Sequence, residues 1–290
     1  MSQSQPPALT NEAKPRRLSA WAPVALLAVL LGVAYLEAIR WMVFRWPLEP
    51  YSGGGFLVPL VSAYLIWLKR DRLAALPVRG SNWGLLVLAI GAAAFFVGSW
   101  TGIHYPYAVS LIIVIWGLIL WLAGSAIAVE LLFPIAFLTF MIPLSWALDA
   151  LTFPLRLLAT RAAAWLPQAL GLPTVVSGTE IHVGNYSLLI DLPCSGLRFV
   201  LALLAGAALF AHFAEARLWR KLVIFASAIP IAVLANIIRI DMALLLGKSF
   251  GEKAAQGFYH NLSGLMVFVF ALTCLYYVSR MLCPRSPGAG

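Results

Sequence analysis

The 290-residue chain is 62% hydrophobic and 11% charged, with a mean hydropathy of +0.91. These values exclude a water-soluble globular protein and indicate an integral membrane protein. The net charge of +9 arises from small basic clusters between apolar stretches, which excludes a nucleic-acid-binding stripe and favours topology signals. The three cysteines are too few and too widely spaced for a disulfide framework or a CxxC metal site, so any cysteine chemistry must use a lone thiol.

The apolar stretches predict an all-α transmembrane bundle over residues 21–283. Residues 1–20 are polar and basic and predict a cytoplasmic tail before a retained anchor, and residues 284–290 predict a second cytoplasmic tail. A helix needs about 20 apolar residues to cross a bilayer, and about eight stretches qualify, although the second is short and its full crossing stays open. The predicted spans are 21–39, 54–68, 83–100, 107–123, 126–148, 195–213, 222–246 and 261–282.

The distribution of lysine and arginine predicts the orientation of these spans. Cytoplasmic loops normally carry the excess of basic residues. With the N-terminus inside, 12 of the 20 basic residues lie in cytoplasmic segments, so both termini are predicted to be cytoplasmic. These twelve are Lys14, Arg16, Arg17, Lys69, Arg70, Arg72, Arg79, Arg217, Arg220, Lys221, Arg280 and Arg285.

The longest predicted loop, residues 149–193, then faces the extracytoplasmic side. Its first part, 151–170, is moderately apolar with two arginines and predicts a helix lying in the membrane interface. Its second part, 174–190, carries β-branched and apolar residues around Gly184-Asn185, which predicts a small β-hairpin with a Gly-Asn turn.

Cys194 is the first candidate for chemistry, because it lies where this outer loop becomes a membrane helix. Pro193 suits a first helical turn and Asp191 can cap it. A thiolate at a helix N-terminus is stabilised by the positive end of the helix dipole, and Arg198, four residues on, shares its face. The alternative is that Cys194 is only a small packing residue, as expected for Cys274.

Arg239 is the second candidate, because it lies well inside the seventh apolar stretch. Burying an arginine at a span centre costs about 2.5 kcal/mol or more even on insertion scales, so such a residue usually faces a partner or a wet cavity. Asn236 is one turn earlier and can fix the guanidinium or bind a substrate amide. Pairing of Arg239 with Asp241, or an outward-reaching side chain, is the alternative interpretation.

His260 is the third candidate, at the outer start of the last span. Gly264 follows one turn later and predicts a small face for close helix approach. His104 and His182 are also predicted outside, with roles left open, whereas His212 is predicted at the cytoplasmic end of a span. A lone interfacial histidine is more often a polar anchor than a base.

Once the charge distribution fixes the topology, the three candidates are predicted to lie on the same side of the membrane and at a similar depth. They lie on three consecutive spans, so Cys194, Arg239 and His260 are predicted to converge in one outer-leaflet cavity. A nucleophile, a base and a cation on neighbouring helices are what acyl transfer through a thioester requires.

The ordered elements Cys194-Ser195-Gly196-Leu197-Arg198, Asn236-Ile237-Ile238-Arg239 and His260 resemble the exosortase/archaeosortase family of membrane transpeptidases. One departure is Leu192, where an acidic residue is expected two places before the cysteine, so the role of Asp191 stays open.

The resemblance implies a cysteine protease/transpeptidase of the bacterial inner (cytoplasmic) membrane with an extracytoplasmic active site. Its partners would be exported proteins with a C-terminal sorting signal of the Pro-Glu-Pro type, made of a short motif, a membrane helix and a basic tail. The resemblance implies Cys194 as nucleophile, His260 as general base and then acid, and Arg239 as oxyanion stabiliser, with Asn236 and Arg198 assisting and no metal or cofactor.

Two other functions stay open from the sequence. Intramembrane Arg, Asn and Gly residues also line the substrate paths of transporters, so an export component for exopolysaccharide or lipid-linked sugar is the main alternative. The other is a non-catalytic assembly subunit with Cys194 as packing. The sequence does not define the acceptor nucleophile, the choice between hydrolysis and transpeptidation, or the oligomeric state.

Overall fold

The computed structural model describes residues 17–49, 52, 54–143, 145–190, 197–251 and 258–283. The chain is mostly helical, with one small sheet, as the sequence predicts. The helices are α1 (Arg17–Ala34), α2 (Leu36–Leu48), α3 (Leu57–Leu68), α4 (Arg70–Ala75), α5 (Trp83–Thr101), α6 (His104–Leu122), α7 (Ser125–Glu130), α8 (Leu132–Phe137), a 3₁₀ helix (Leu138–Met141), α9 (Ser145–Ala163), α10 (Trp165–Ala169), α11 (Leu197–Phe213), α12 (Leu218–Phe250) and α13 (Phe258–Leu282).

Helices α5 and α6 form a tight pair because glycines line their contact. Gly84, Gly91 and Gly98 repeat every seven residues on α5 and are all buried. A Cβ atom at Gly91 would lie 2.6 Å from Val114 Cγ2, and one at Gly98 would lie 2.7 Å from the Tyr107 backbone nitrogen. Small residues let membrane helices approach closely where no hydrophobic effect drives association, so this stripe sets the spacing of the pair.

Two other apolar stretches are broken rather than continuous helices. The first bends by 68° between α1 and α2, and the Tyr107 hydroxyl donates a hydrogen bond to the Ala34 carbonyl at the bend. The second is divided into α7, α8 and the 3₁₀ helix. Pro134 lacks the N–H that would bond to the Glu130 carbonyl, which instead accepts from Lys69 Nζ at 2.9 Å. Donors from neighbouring helices thus satisfy carbonyls that the breaks release.

Helices α11, α12 and α13 pack against one another through small residues. The buried contact surface is mostly alanine on α11 and α12 and mixed apolar on α13, so the three backbones lie close together. The fully buried members of this C-terminal core include Leu203, Ala207, Ala228, Ala232, Ala271 and Leu275.

The sheet has three antiparallel strands: β1 (Thr174–Ser177), β2 (Glu180–Val183) and β3 (Tyr186–Leu189), in the order β1-β2-β3. Ile181 and Val183 point to one face and pack with Ile240 and Leu244 of α12. The sheet is therefore fixed on the C-terminal half of α12. Ile190, which is fully buried in the same cluster, ends the described part of the loop.

Several sequence predictions need correction at this level. The segment 174–190 is a three-stranded sheet rather than a hairpin, because Gly178 (φ +61°) makes a second turn besides Gly184 (φ +61°). The predicted span 126–148 is broken, and its last residues belong to α9, which begins at Ser145. Helix α12 runs to Phe250 instead of residue 246, so Arg239 is eleven residues from its end, or about 16 Å, rather than seven.

Eight continuous spans are not confirmed. Within the described ranges, α5, α6, α12 and α13 are long and apolar enough to cross a membrane, and the bent α1–α2 pair makes up to five. Helix α3, the α8–3₁₀ segment and α11 are apolar but shorter, because their stretches are interrupted or only partly described. The chain is a multi-pass membrane protein, and the orientation of its termini stays a prediction.

Candidate active site

Arg239 is buried inside the C-terminal bundle with only 6% of its surface exposed. It lies on α12 between two buried clusters, one shared with α11 and α13 and one shared with the sheet, so it faces other protein segments. Arg239 and Asp241 do not form an ion pair, and the arginine does not reach outward to the surface. The alternative interpretation of this arginine is therefore not supported.

The ring of Phe199 receives this cation. Arg239 Cζ lies 5.0 Å from the centroid of the Phe199 ring, within the range of a cation–π interaction. Phe199 is 8% exposed and is the third residue of α11. Arg239 is thus at the level of the start of α11, the helix that follows the Cys194 segment.

The same phenylalanine also contacts α13. A Cβ atom on Gly264 would lie 3.8 Å from Phe199 Cζ, and the rings of Phe199 and Phe268 are 6.2 Å apart. Phe199 therefore packs between Arg239 of α12 and Phe268 of α13. Because 3.8 Å is an ordinary van der Waals distance, the close approach predicted at Gly264 does not require a glycine.

Two further polar side chains are buried near Arg239 on α12. Asn236, one turn earlier, is 2% exposed, and Asp241 is 9% exposed. Asp241 Oδ1 has no hydrogen-bond partner among the described residues. Three polar side chains are thus buried within six residues of one apolar helix, which makes this segment the candidate for function.

The other predicted site residues lie at the edges of the described structure. His260 is the third residue of α13, about 6 Å along the helix axis before Gly264. Arg198 is the second residue of α11. The side chains of His260 and Arg198 are not described, and Cys194 and Asp191 lie outside the described residues. Their roles stay predictions.

The other histidines occupy different environments. His104 stacks on Trp41 at 5.1 Å in the N-terminal half, and His212 stacks on Phe133 at 3.8 Å. His182 lies on β2, and its neighbours Ile181 and Val183 are the ones buried against α12. Since side chains alternate along a strand, His182 points to the opposite face of the sheet.

Sequence reasoning missed Phe199. An aromatic residue near the start of a membrane helix is common at the interface, so nothing in its position singles it out. Only the tertiary contact with Arg239 identifies it. Among the described residues, no group of three or more His, Cys, Asp or Glu side chains is placed to hold a metal ion.

Comparison with known proteins assigns the chain to a family. A family model described as transmembrane exosortase matches residues 41–277, which covers most of the chain and includes all the candidate residues. No curated protein and no solved structure gives a significant match. The match extends over both the N-terminal helices and the bundle that buries Arg239, and the chain therefore belongs to the transmembrane exosortase family.

Proposed function

We propose that this chain is a cysteine protease/transpeptidase that cleaves the C-terminal sorting signal of exported proteins on the extracytoplasmic side of the bacterial inner membrane. The exosortase family generally consists of membrane cysteine transpeptidases that act on such proteins. In this proposal Cys194 is the nucleophile, His260 the general base and Arg239 the oxyanion stabiliser. Asn236 and Arg198 assist, and the signal is of the Pro-Glu-Pro type.

The observation that supports the proposal is the packing of Phe199 against Arg239 of α12 and Phe268 of α13. It brings α11, α12 and α13 together at one level. Cys194 is three residues before Leu197, the first described residue of α11, in the sequence. His260 is one turn before Gly264. The contact supports a common site for the three candidates.

The acylation step follows from these residue types. His260 accepts the thiol proton, and the Cys194 sulfur attacks the scissile carbonyl carbon. Arg239 donates hydrogen bonds to the resulting oxyanion in a site shielded from water, where such stabilisation is strongest. The C–N bond then breaks, His260 returns its proton to the leaving amine, and a thioester remains on Cys194.

The second step releases the substrate. An amine, a hydroxyl or water attacks the thioester carbonyl while His260 accepts its proton, and the C–S bond breaks to regenerate the thiol. A substrate that is itself a membrane helix presents its scissile bond at a fixed depth. A site just inside the outer interface would select that bond by position.

The proposal is tested by co-expressing the chain with an exported reporter that ends in a short motif, a membrane helix and a basic tail. We expect Cys194→Ala and Cys194→Ser to abolish the mass shift caused by cleavage, a loss of at least about 10³-fold for a missing nucleophile. Cys274→Ser is the matched control, because Cys274 lies deeper in α13 and is half-buried. It should cleave normally.

A second measurement addresses topology and reactivity together. A membrane-impermeant thiol reagent should label Cys194 from outside, with a reactivity pKa below the usual value of about 8.5 for a free thiol. Full cleavage by Cys194→Ala would exclude the thiol mechanism. Absence of Cys194 labelling from outside would contradict the predicted orientation.

A further inference from the structure

A polar cavity of about 610 Å³ lies between the sheet and the C-terminal end of α12. Its volume is in the range of small-molecule sites. The turn between β2 and β3 forms one wall and the last turn of α12 forms the other. The residues that line it are Gly184, Asn185, Tyr186, Ser187, Gly247, Lys248 and Gly251.

The two walls are held together by Tyr186 and Gly247. The Tyr186 ring packs directly on Gly247, where any Cβ atom would collide with three ring atoms. Gly247 is buried and Tyr186 half-buried, so this contact joins β3 to α12. The cavity is therefore a feature of the packed structure rather than a loose gap beside a turn.

The position of the cavity matches the path of a substrate. Lys248 is nine residues beyond Arg239 on α12, about 13 Å along the helix. An extended peptide of four residues covers about the same distance. In the predicted orientation this direction is outward, which is where the residues before the scissile bond must run if the membrane helix of the substrate follows that bond.

The chemistry of the lining favours an anionic group. Lys248 is the only charged residue among the described residues of the wall, and Asn185 and Ser187 add an amide and a hydroxyl. Strand β3 is also at an edge of the sheet, with β2 as its one neighbour in the described sheet. An edge strand beside a polar cavity suits an extended peptide, whose main chain can add to the edge.

We propose that this cavity binds the substrate residues about three to five positions before the scissile bond, as an extended segment with an acidic side chain facing Lys248. This inference rests on the proposed function and adds a specificity site to it. The occupant is a peptide carboxylate, and the anionic headgroup of a lipid is the competing outcome of the test.

The test is a charge exchange in the co-expression assay. Three reporters carry Glu, Gln or Lys at one position of the short motif, about three to five residues before the scissile bond. Each is tested with the unaltered enzyme, with Lys248→Gln and with Lys248→Glu. We expect Lys248→Glu to lower cleavage of the Glu reporter by about three- to tenfold and to raise cleavage of the Lys reporter, since the pair is partly solvated. Lys248→Gln should weaken the preference among reporters without reversing it.

Arg161→Glu is the matched control, because Arg161 is an exposed basic residue near the end of α9 and does not line the cavity. It should leave the order of the reporters unchanged. Equal loss on all three reporters with Lys248→Glu, or no change on any, would overturn the inference. Equal loss would fit a lipid headgroup.

Cys194→Ala is run beside these variants to separate the two proposals. If the unaltered chain cleaves and Cys194→Ala does not, the proposed function stands and the Lys248 result concerns the cavity alone. Cleavage by Cys194→Ala would instead remove the proposed function itself. Immunoblots of the membrane fraction confirm equal amounts of each variant.

Discussion

The N-terminal half of this protein, from α1 to the 3₁₀ helix, and its C-terminal half, from α9 to α13, bury polar groups in different ways. In the N-terminal half, Ser62 Oγ donates to the Pro134 carbonyl at 2.7 Å and Ser110 Oγ donates to the Tyr107 carbonyl at 2.7 Å. These hydroxyls donate to the backbone, and the buried carboxylate described in this half, Glu49, pairs with Arg45 at 3.3 Å. In the C-terminal half, α12 buries an amide, a guanidinium and a carboxylate within six residues.

This difference distinguishes polar groups that serve the fold from polar groups that are candidates for function. A hydroxyl that donates to a released carbonyl, as Ser62 does to Pro134, satisfies that carbonyl at a small energetic cost. A guanidinium and a carboxylate inside an apolar helix are far more costly to bury than a hydroxyl. We infer that the N-terminal half is a scaffold and that the polar segment of α12 is retained for function.

The largest expected effect that would sharpen this comparison is at Arg239. Arg239→Gln should lower reporter cleavage by about 10²- to 10³-fold, because it removes a charged donor to the oxyanion. Ser110→Ala is the control from the other half. It loses a neutral hydrogen bond of about 1 kcal/mol and should retain cleavage per folded molecule. Equal losses in the two variants would break the comparison.

A smaller effect is expected at Phe199. Phe199→Leu keeps an apolar side chain but removes the aromatic face over Arg239, so cleavage should fall by about tenfold, in line with a desolvated cation–π interaction. Phe268→Leu removes a ring from the same cluster without touching that cation pair. If both leucine variants lose the same activity, Phe199 serves packing alone.

The smallest effects concern glycines on the two sides of the comparison. Gly91→Ala should lower the free energy of unfolding of the purified protein by about 1–3 kcal/mol. The reason is overpacking, because the added Cβ atom would press on Val114. Gly264→Ala meets only an ordinary contact and should be neutral or slightly stabilising. A strongly destabilised Gly264→Ala variant would contradict the geometry at Phe199. Thermal unfolding in detergent measures both.

Part of this picture was accessible from the sequence. Hydrophobic composition and apolar runs of near-span length predict a multi-pass helical protein, because the bilayer demands such runs wherever they lie in the fold. Arg239 could be chosen because a charged group inside an apolar stretch is costly. Cys194 and His260 were chosen for their positions at the starts of membrane helices, and their roles stay predictions. The turn at Gly184-Asn185 was also visible, since turn chemistry is local.

The tertiary structure decided the rest. Whether a stretch such as 126–148 remains one helix depends on partners like Lys69 and Ser62, which lie far away in the sequence and satisfy the released carbonyls. Hydropathy does not contain that information. The contact of Phe199 with Arg239, and the cavity beside Lys248, likewise exist only because α12 packs against α11 on one side and the sheet on another. The composition determined that this chain is a membrane protein. Packing between segments that are distant in the sequence determined which side chains surround Arg239.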